Sequence, residues 1–133
     1  MSQECLVGLG AGGHMRVMLE TLRVCGLVVE GLLDPTQPIG TRIEGIPVLG
    51  PDALLATLHP TGVFLGIGSS ARPTRRTERY HWLHQQGYPI LTVIHPSATI
   101  AASAELGTGV TVLAGAHVGP GAPRPGGGAH QVE

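Results

Sequence analysis

Ile94-His-Pro-Ser-Ala-Thr99, Ile100-Ala-Ala-Ser-Ala-Glu105, Leu106-Gly-Thr-Gly-Val-Thr111, Val112-Leu-Ala-Gly-Ala-His117 and Val118-Gly-Pro-Gly-Ala-Pro123 are five consecutive hexapeptides. The first position of each is a branched aliphatic and the fifth is Ala or Val. That repeat is the signature of a left-handed parallel β-helix, in which six residues form one flat face of a triangular coil. The aliphatic side chain points into the prism and a small residue fits beside the corner. Five faces make fewer than two three-faced coils, whereas solenoids need about three or more repeats to bury a continuous core. The next first position is Arg124, inside a stretch from Gly119 to Glu133 that holds five Gly and three Pro. An incomplete β-helix over 94–123 and a disordered tail over 124–133 are therefore expected, with the last coil frayed or associated with other copies through its open backbone edge.

Upstream of residue 94 the pattern is different. Glu4–Leu9, Leu27–Leu33, Ile46–Gly50, Gly62–Ile67 and Ile90–Ile94 read as short strands. Helical spacing of Met15, Met18, Leu19 and Leu22 follows the first of them, with Gly26 as its stop. A short helix from Pro51 to about Leu58 follows the third. A longer one, capped by Ser69 or Ser70 with Pro73 in its first turn, runs to about Gln86 and stops at Gly87. Segment 35–45 reads as a loop, and Pro47 suggests an edge strand. Strands alternating with helices give an α/β fold, a Rossmann-like parallel sheet of about five strands over residues 1–93 followed by the hexapeptides.

Composition narrows the function. Charged residues make up 13% of the 133 and the net charge is −1, against about 25% charged in an average domain. No basic footprint for nucleic acid or an anionic membrane exists, and 3% aromatics is too few for a base-stacking platform. No apolar run approaches the roughly 18 residues of a transmembrane span, and Glu4 leads straight into an apolar strand without a basic leader. Cys5 and Cys25 lack metal-type spacing and read as buried thiols in a reducing compartment. A cytoplasmic location is the expectation.

Gly8-Leu-Gly10-Ala-Gly12-Gly13 satisfies G-x-G-x-x-G between a strand and a helix, with Asp34 at the end of the next strand. Glycines permit close backbone approach and the helix N-terminus offers free N–H groups, so the turn reads as a phosphate or pyrophosphate site. The alternative is a turn kept glycine-rich for strand–helix packing alone. Too few strands precede the hexapeptides for a second nucleotide-binding half, which favours a nucleotide smaller than NAD. On the helix that follows the Gly62–Ile67 strand, Arg72, Arg75, Arg76 and Arg79 share one face. They form either a solvated stripe or, through Arg72, part of a diphosphate site. His81, His84, His95, His117 and His130 have no partner acid at catalytic or metal spacing.

Five segments together resemble the NeuD/PglD-like sugar O/N-acyltransferases: Gly10-Ala-Gly-Gly-His14, Gly31-Leu-Leu-Asp34, Ile46-Pro-Val-Leu-Gly50, Ile67-Gly68 with Arg72, and Ile94-His-Pro-Ser-Ala98. The resemblance runs from residue 8 to about 122. It implies an N-terminal domain binding a UDP-sugar or related nucleotide-sugar, and a C-terminal β-helix that forms a homotrimer and takes acetyl-CoA as co-substrate between subunits. Carried over, Gly10, Gly12, Gly13 and His14 would hold the phosphates and sugar. Asp34 and Pro35 would sit at the base and ribose, and Gly68 and Arg72 would line the same cleft. The family's general base is a histidine in a His-Asp or His-Glu pair of a later coil, and no such pair occurs here. No catalytic residue is therefore assigned. The expectation is a C-terminally truncated member, as from a frameshift near Pro123, that binds its nucleotide-sugar without turnover. Two other readings stay open: a non-catalytic nucleotide-binding or regulatory module, and a small NAD(P)- or CoA-binding Rossmann protein.

Overall fold

A computed structural model of the chain describes residues 4–67, 73–107, 109–121 and 131–132. Strand β1 (Leu6–Leu9) leads into helix α1 (Gly13–Val24), then β2 (Val29–Leu33). A hairpin follows, of β3 (Arg42–Ile43) and β4 (Ile46–Gly50). After a 3-10 turn at Asp52–Leu54 come α2 (Leu55–Leu58), β5 (Gly62–Leu65) and α3 (Pro73–Gln85). The remaining strands are two residues each: β6 (Val93–Ile94), β7 (Thr99–Ile100), β8 (Thr111–Val112), β9 (His117–Val118) and β10 (Gln131–Val132).

The first five strands form one sheet in the order β3-β4-β2-β1-β5. All neighbours run parallel except β3 and β4. Alternation across the strands feeds two cores. Phe64 and Leu32 join Met15, Met18 and Leu22 of α1 on one face. Val7, Leu9, Val63 and Leu65 meet Leu55 of α2 and Tyr80 and Leu83 of α3 on the other. Helices on both faces of a mainly parallel sheet make this the α/β architecture that the strand–helix alternation implied. Both long helices close as expected. Leu27 N–H reaches the Leu22 carbonyl at 2.9 Å and Tyr88 N–H the Leu83 carbonyl at 3.1 Å, each across a glycine just past the helix end.

Three details differ from the sequence reading. The segment 35–45, expected as a loop, contains β3, which forms an antiparallel hairpin with β4 turned by Glu44 (φ 49°) and Gly45 (φ 81°). Two successive positive φ angles are those of a type I′ hairpin turn. The strand expected at Ile90–Ile94 splits: Ile90 makes a single parallel bridge to Val63 of β5, and Val93–Ile94 leaves the sheet for the repeat region. Cys5 and Cys25 are free and only half-buried.

In the repeat region Val93 and Ile94 pair in parallel with Thr111 and Val112, and Thr99 and Ile100 with His117 and Val118. Each partner lies three hexapeptides further on, the spacing that three six-residue faces per turn require. Val110, Val112, Ala116 and Val118 are buried inside, with Ala98, Ile100, Ala104 and Leu106 against them. Among the described residues the first and fifth positions thus point inward, except Ile94, which is 37% exposed. The preceding Val93 instead packs into the α1-side core, with Leu113 beside it.

A second layer of the repeat sits at position four. Gly109, Gly115 and Gly121 all have positive φ, between 66° and 79°. Gly115 and Gly121 donate their N–H to the Oγ of Ser97 and Ser103, each 18 residues earlier, at 2.9 and 2.8 Å. Gly109 donates to Thr92 Oγ1 at 3.0 Å. Gln131 and Val132, expected in an unstructured tail, pair in parallel with the other side of β8, 20 residues beyond their partners Thr111 and Val112.

Candidate nucleotide-sugar cleft

The order β4-β2-β1-β5 places a topological switch between β1 and β5. Successive connections leave β1 in opposite directions there, and crevices for ligands form at the C-terminal ends of such strands. Gly10 makes the turn out of β1. Its φ is +101°, and a Cβ there would lie 3.2 Å from the Gly66 carbonyl oxygen. Its N–H bonds the Leu33 carbonyl at 2.8 Å, so the turn is anchored to the end of β2.

Gly12 precedes α1 with no side chain capping the helix, and the first turn holds no acid. Gly12 and Gly13 are exposed, and a Cβ on either would meet nothing within 4 Å. Protein packing therefore does not explain these two glycines, unlike Gly8 and Gly31, whose Cβ positions collide with Phe64 and Leu49. Open space above uncapped N–H groups at the positive end of a helix suits an anion. His14 is half-buried in the same first turn.

Asp34 is 6% exposed. Its Oδ2 accepts the Ala11 N–H at 2.8 Å. Its Oδ1 accepts the Thr36 N–H at 2.8 Å, the Thr36 hydroxyl at 2.6 Å and the Gln37 N–H at 3.2 Å. Burial alone would raise its pKa, but these bonds outweigh it and hold the carboxyl below its ordinary value. Both carboxylate oxygens are thus engaged by the protein, and the acid ties the glycine turn to the segment after β2.

Beside this turn lies a cavity of about 450 Å³ lined by Leu9, Gly10, Pro35, Asp52, Ile67, Arg75, Glu78 and Arg79. Arg79 crosses from α3 to bond Asp52 Oδ2 at 2.9 Å, and its guanidinium lies 5.0 Å from the Trp82 ring centroid. Arg75 is exposed on the same helix. A wider, more apolar depression of about 560 Å³ lies between α1 and the repeat region, bordered by Arg16, Val17, Glu44, His95 and Leu113. Of these two, the first stands at the switch point.

Of the residues expected in the site, Gly10 and Pro35 line the cavity. Gly12, Gly13 and His14 lie next along the chain at the start of α1, and Asp34 supports the turn from below. Gly68 and Arg72 lie outside the described residues. The sequence reading missed Asp52, Arg75, Glu78 and Arg79 as cavity residues, although Arg75 and Arg79 were visible as part of the arginine stripe. That stripe is not uniformly solvated, since Arg76 within it is 1% exposed. In the repeat region His95 Nδ1 accepts the Ser97 N–H at 3.0 Å, which puts the proton of the neutral ring on Nε2. His117 is exposed. Among the described residues no group of three His, Cys, Asp or Glu is placed to hold a metal, and no helix is long and apolar enough to cross a membrane.

Known proteins fit this geometry. A histidine-to-asparagine variant of perosamine N-acetyltransferase from Caulobacter crescentus, in complex with CoA and GDP-perosamine, is 32% identical with a TM-score of 0.79. The match covers 90% of this chain and 56% of that one. The acetyltransferase domain of PglB from Neisseria gonorrhoeae, in complex with acetyl coenzyme A, is 29% identical with a TM-score of 0.68. There the match covers 90% of this chain and 60% of the other. The chain therefore spans a little over half the length of these structures. No curated protein matches it. The family model of the PglD N-terminal domain matches residues 5–83. With that match over more than half its length, the chain belongs to the PglD/NeuD-like sugar acetyltransferase family.

Proposed function

We propose that this chain carries the nucleotide-sugar-binding part of an acetyl-CoA-dependent sugar O/N-acetyltransferase. The observation that carries the reading is the conjunction at the switch point. An open glycine turn leads into an uncapped helix N-terminus, beside a cavity that exposes Arg75. The diphosphate lies over Gly12 and Gly13 at the start of α1, with His14 toward the sugar. Pro35 borders the nucleoside. Asp34 acts by fixing the turn. The GDP-perosamine bound by the Caulobacter enzyme supports a nucleotide-sugar as ligand, and the CoA and acetyl-CoA of the solved relatives support acetyl-CoA as co-substrate.

The division at residue 94 separates this domain from a left-handed parallel β-helix. The 18-residue pairing offset and the inward first and fifth positions support that assignment. Assembly into a homotrimer and a cytoplasmic location belong to the same reading. In the whole reaction a base deprotonates the acceptor amine or hydroxyl as it attacks the thioester. None of the seven histidines in these 133 residues is followed by an acid. The role assigned to the 133 residues is binding of the nucleotide-sugar.

A thermal-shift titration with GDP-mannose, a UDP-sugar, NAD and acetyl-CoA tests this, because a ligand bound only by the folded state raises the midpoint by mass action. A shift with a nucleotide-sugar supports the reading. A shift with NAD alone sinks it.

A further inference from the structure

Helix α3 contributes one arginine that the cleft does not expose. Arg76 is 1% exposed. Its Nη1 donates to the Leu65 carbonyl at 3.3 Å and the Ile67 carbonyl at 2.9 Å. Its Nη2 donates to Thr111 Oγ1 at 3.2 Å. Leu65 ends β5 and Ile67 lines the cavity at the switch point. Thr111 is 2% exposed and lies in β8, the middle strand of β10-β8-β6. One guanidinium thus touches the cleft wall and the repeat coil from a third element.

Stability does not account for this choice. Burying a cation is costly, and well-packed apolar residues commonly replace such groups without loss. What an apolar side chain lacks is the fork. The planar guanidinium presents several donors at fixed angles, and a lysine ammonium does not reproduce that geometry. Here the fork reaches the carbonyls of Leu65 and Ile67, at and just past the end of β5, and the hydroxyl of Thr111 in β8, 35 residues from Arg76 along the chain. Burial lowers the guanidinium pKa only to about 10, so it stays charged at neutral pH.

We infer that Arg76 is a positioning residue that couples the cleft to the coil: Thr111 aims the guanidinium, and the guanidinium fixes the Leu65–Ile67 wall against which the ligand binds. This rests on the nucleotide-sugar reading for the nature of the ligand but not for the coupling itself.

The test uses the full chain and two readouts. Thr111→Val removes the acceptor and keeps the shape. Arg76→Lys keeps the charge and loses the fork. Val118→Ala, a coil-core change on another face, controls for a loosened coil. The first readout is amide exchange at Gly66, whose N–H bonds the Leu9 carbonyl at 2.9 Å, in ligand-free protein. The second is affinity for GDP-mannose. Thr111→Val and Arg76→Lys are expected to speed Gly66 exchange and weaken binding, each about fivefold or more, while Val118→Ala lowers the melting temperature without either effect. Unchanged Gly66 exchange in Thr111→Val overturns the inference, as do equal effects from Val118→Ala or full function in Arg76→Lys. If the wild-type chain binds no nucleotide-sugar, the functional reading fails, and Gly66 exchange still decides the coupling.

Discussion

Asp34 Oδ2 accepts the backbone N–H of Ala11 at 2.8 Å, so the acid that ends β2 fixes the glycine turn that ends β1. The other oxygen gathers Thr36 and Gln37. A single buried carboxylate therefore sets the relative position of the two backbone segments that border the cleft. Asp34→Asn places an amide N–H₂ group where donors converge. It should destabilise the fold by about 1–3 kcal/mol, the cost of leaving buried donors unsatisfied. Urea denaturation measures this, and a variant as stable as wild type would contradict the role.

The same carboxylate makes stability depend on pH. Its folded-state pKa is depressed below the ordinary 3.8. A depressed acid contributes stability that is complete above its unfolded value and lost as pH falls through the folded one. Wild-type stability should thus fall relative to Asp34→Asn from about pH 5 downward. A difference between the two proteins that stays constant from pH 6 to pH 3 would show that Asp34 is not the group responsible.

Glycines divide into two kinds, and substitution should separate them. Gly31→Ala drives a methyl into Leu49 and should cost about 1–3 kcal/mol through overpacking, with little change in ligand affinity of the folded protein. Gly13→Ala meets only open space. It should leave stability unchanged or raise it by up to about 1 kcal/mol, yet weaken nucleotide-sugar binding about tenfold, or about 1.4 kcal/mol. Calorimetric titration beside thermal denaturation reads both quantities.

Position four of the repeat region makes a fourth prediction. Gly115 has φ +73° and donates to Ser97 Oγ at 2.9 Å. Gly115→Ala should cost about 1–2 kcal/mol because a Cβ is strained in the left-handed region. Ser97→Ala should cost only about 0.5–1.5 kcal/mol, since water can reach the exposed N–H. Thermal melts of the two variants check the ranking.

The reach of the sequence follows the range of the interactions that set each feature. The β1–α1 turn and the helix stops at Gly26 and Gly87 are local patterns, and each was legible. The β3–β4 hairpin was signalled by Glu44-Gly45, but glutamate is not a customary residue at positive φ. Position four of the repeat carries a second signal, serine in the first two hexapeptides and glycine in the last three, which aliphatic periodicity passes over. Nothing local could foretell that Arg76 is buried while Arg75, one residue earlier, is exposed. Leu65, Ile67 and Thr111, which accept the hydrogen bonds of Arg76, are brought to it only by the tertiary fold. Asp34 was legible as the acid just past β2, but its inward orientation depends on Ala11, 23 residues before it. Gln131–Val132 reaches β8 across a Gly/Pro-rich stretch in which the aliphatic register has no continuation.

The most direct test is calorimetric titration of the 133-residue chain with GDP-mannose and a UDP-sugar, with NAD in a parallel experiment and Gly13→Ala beside wild type. The account predicts saturable one-site binding of a nucleotide-sugar, about tenfold weaker in Gly13→Ala, and none for NAD. Binding of NAD in preference to every nucleotide-sugar, or nucleotide-sugar binding indifferent to Gly13→Ala, would contradict it.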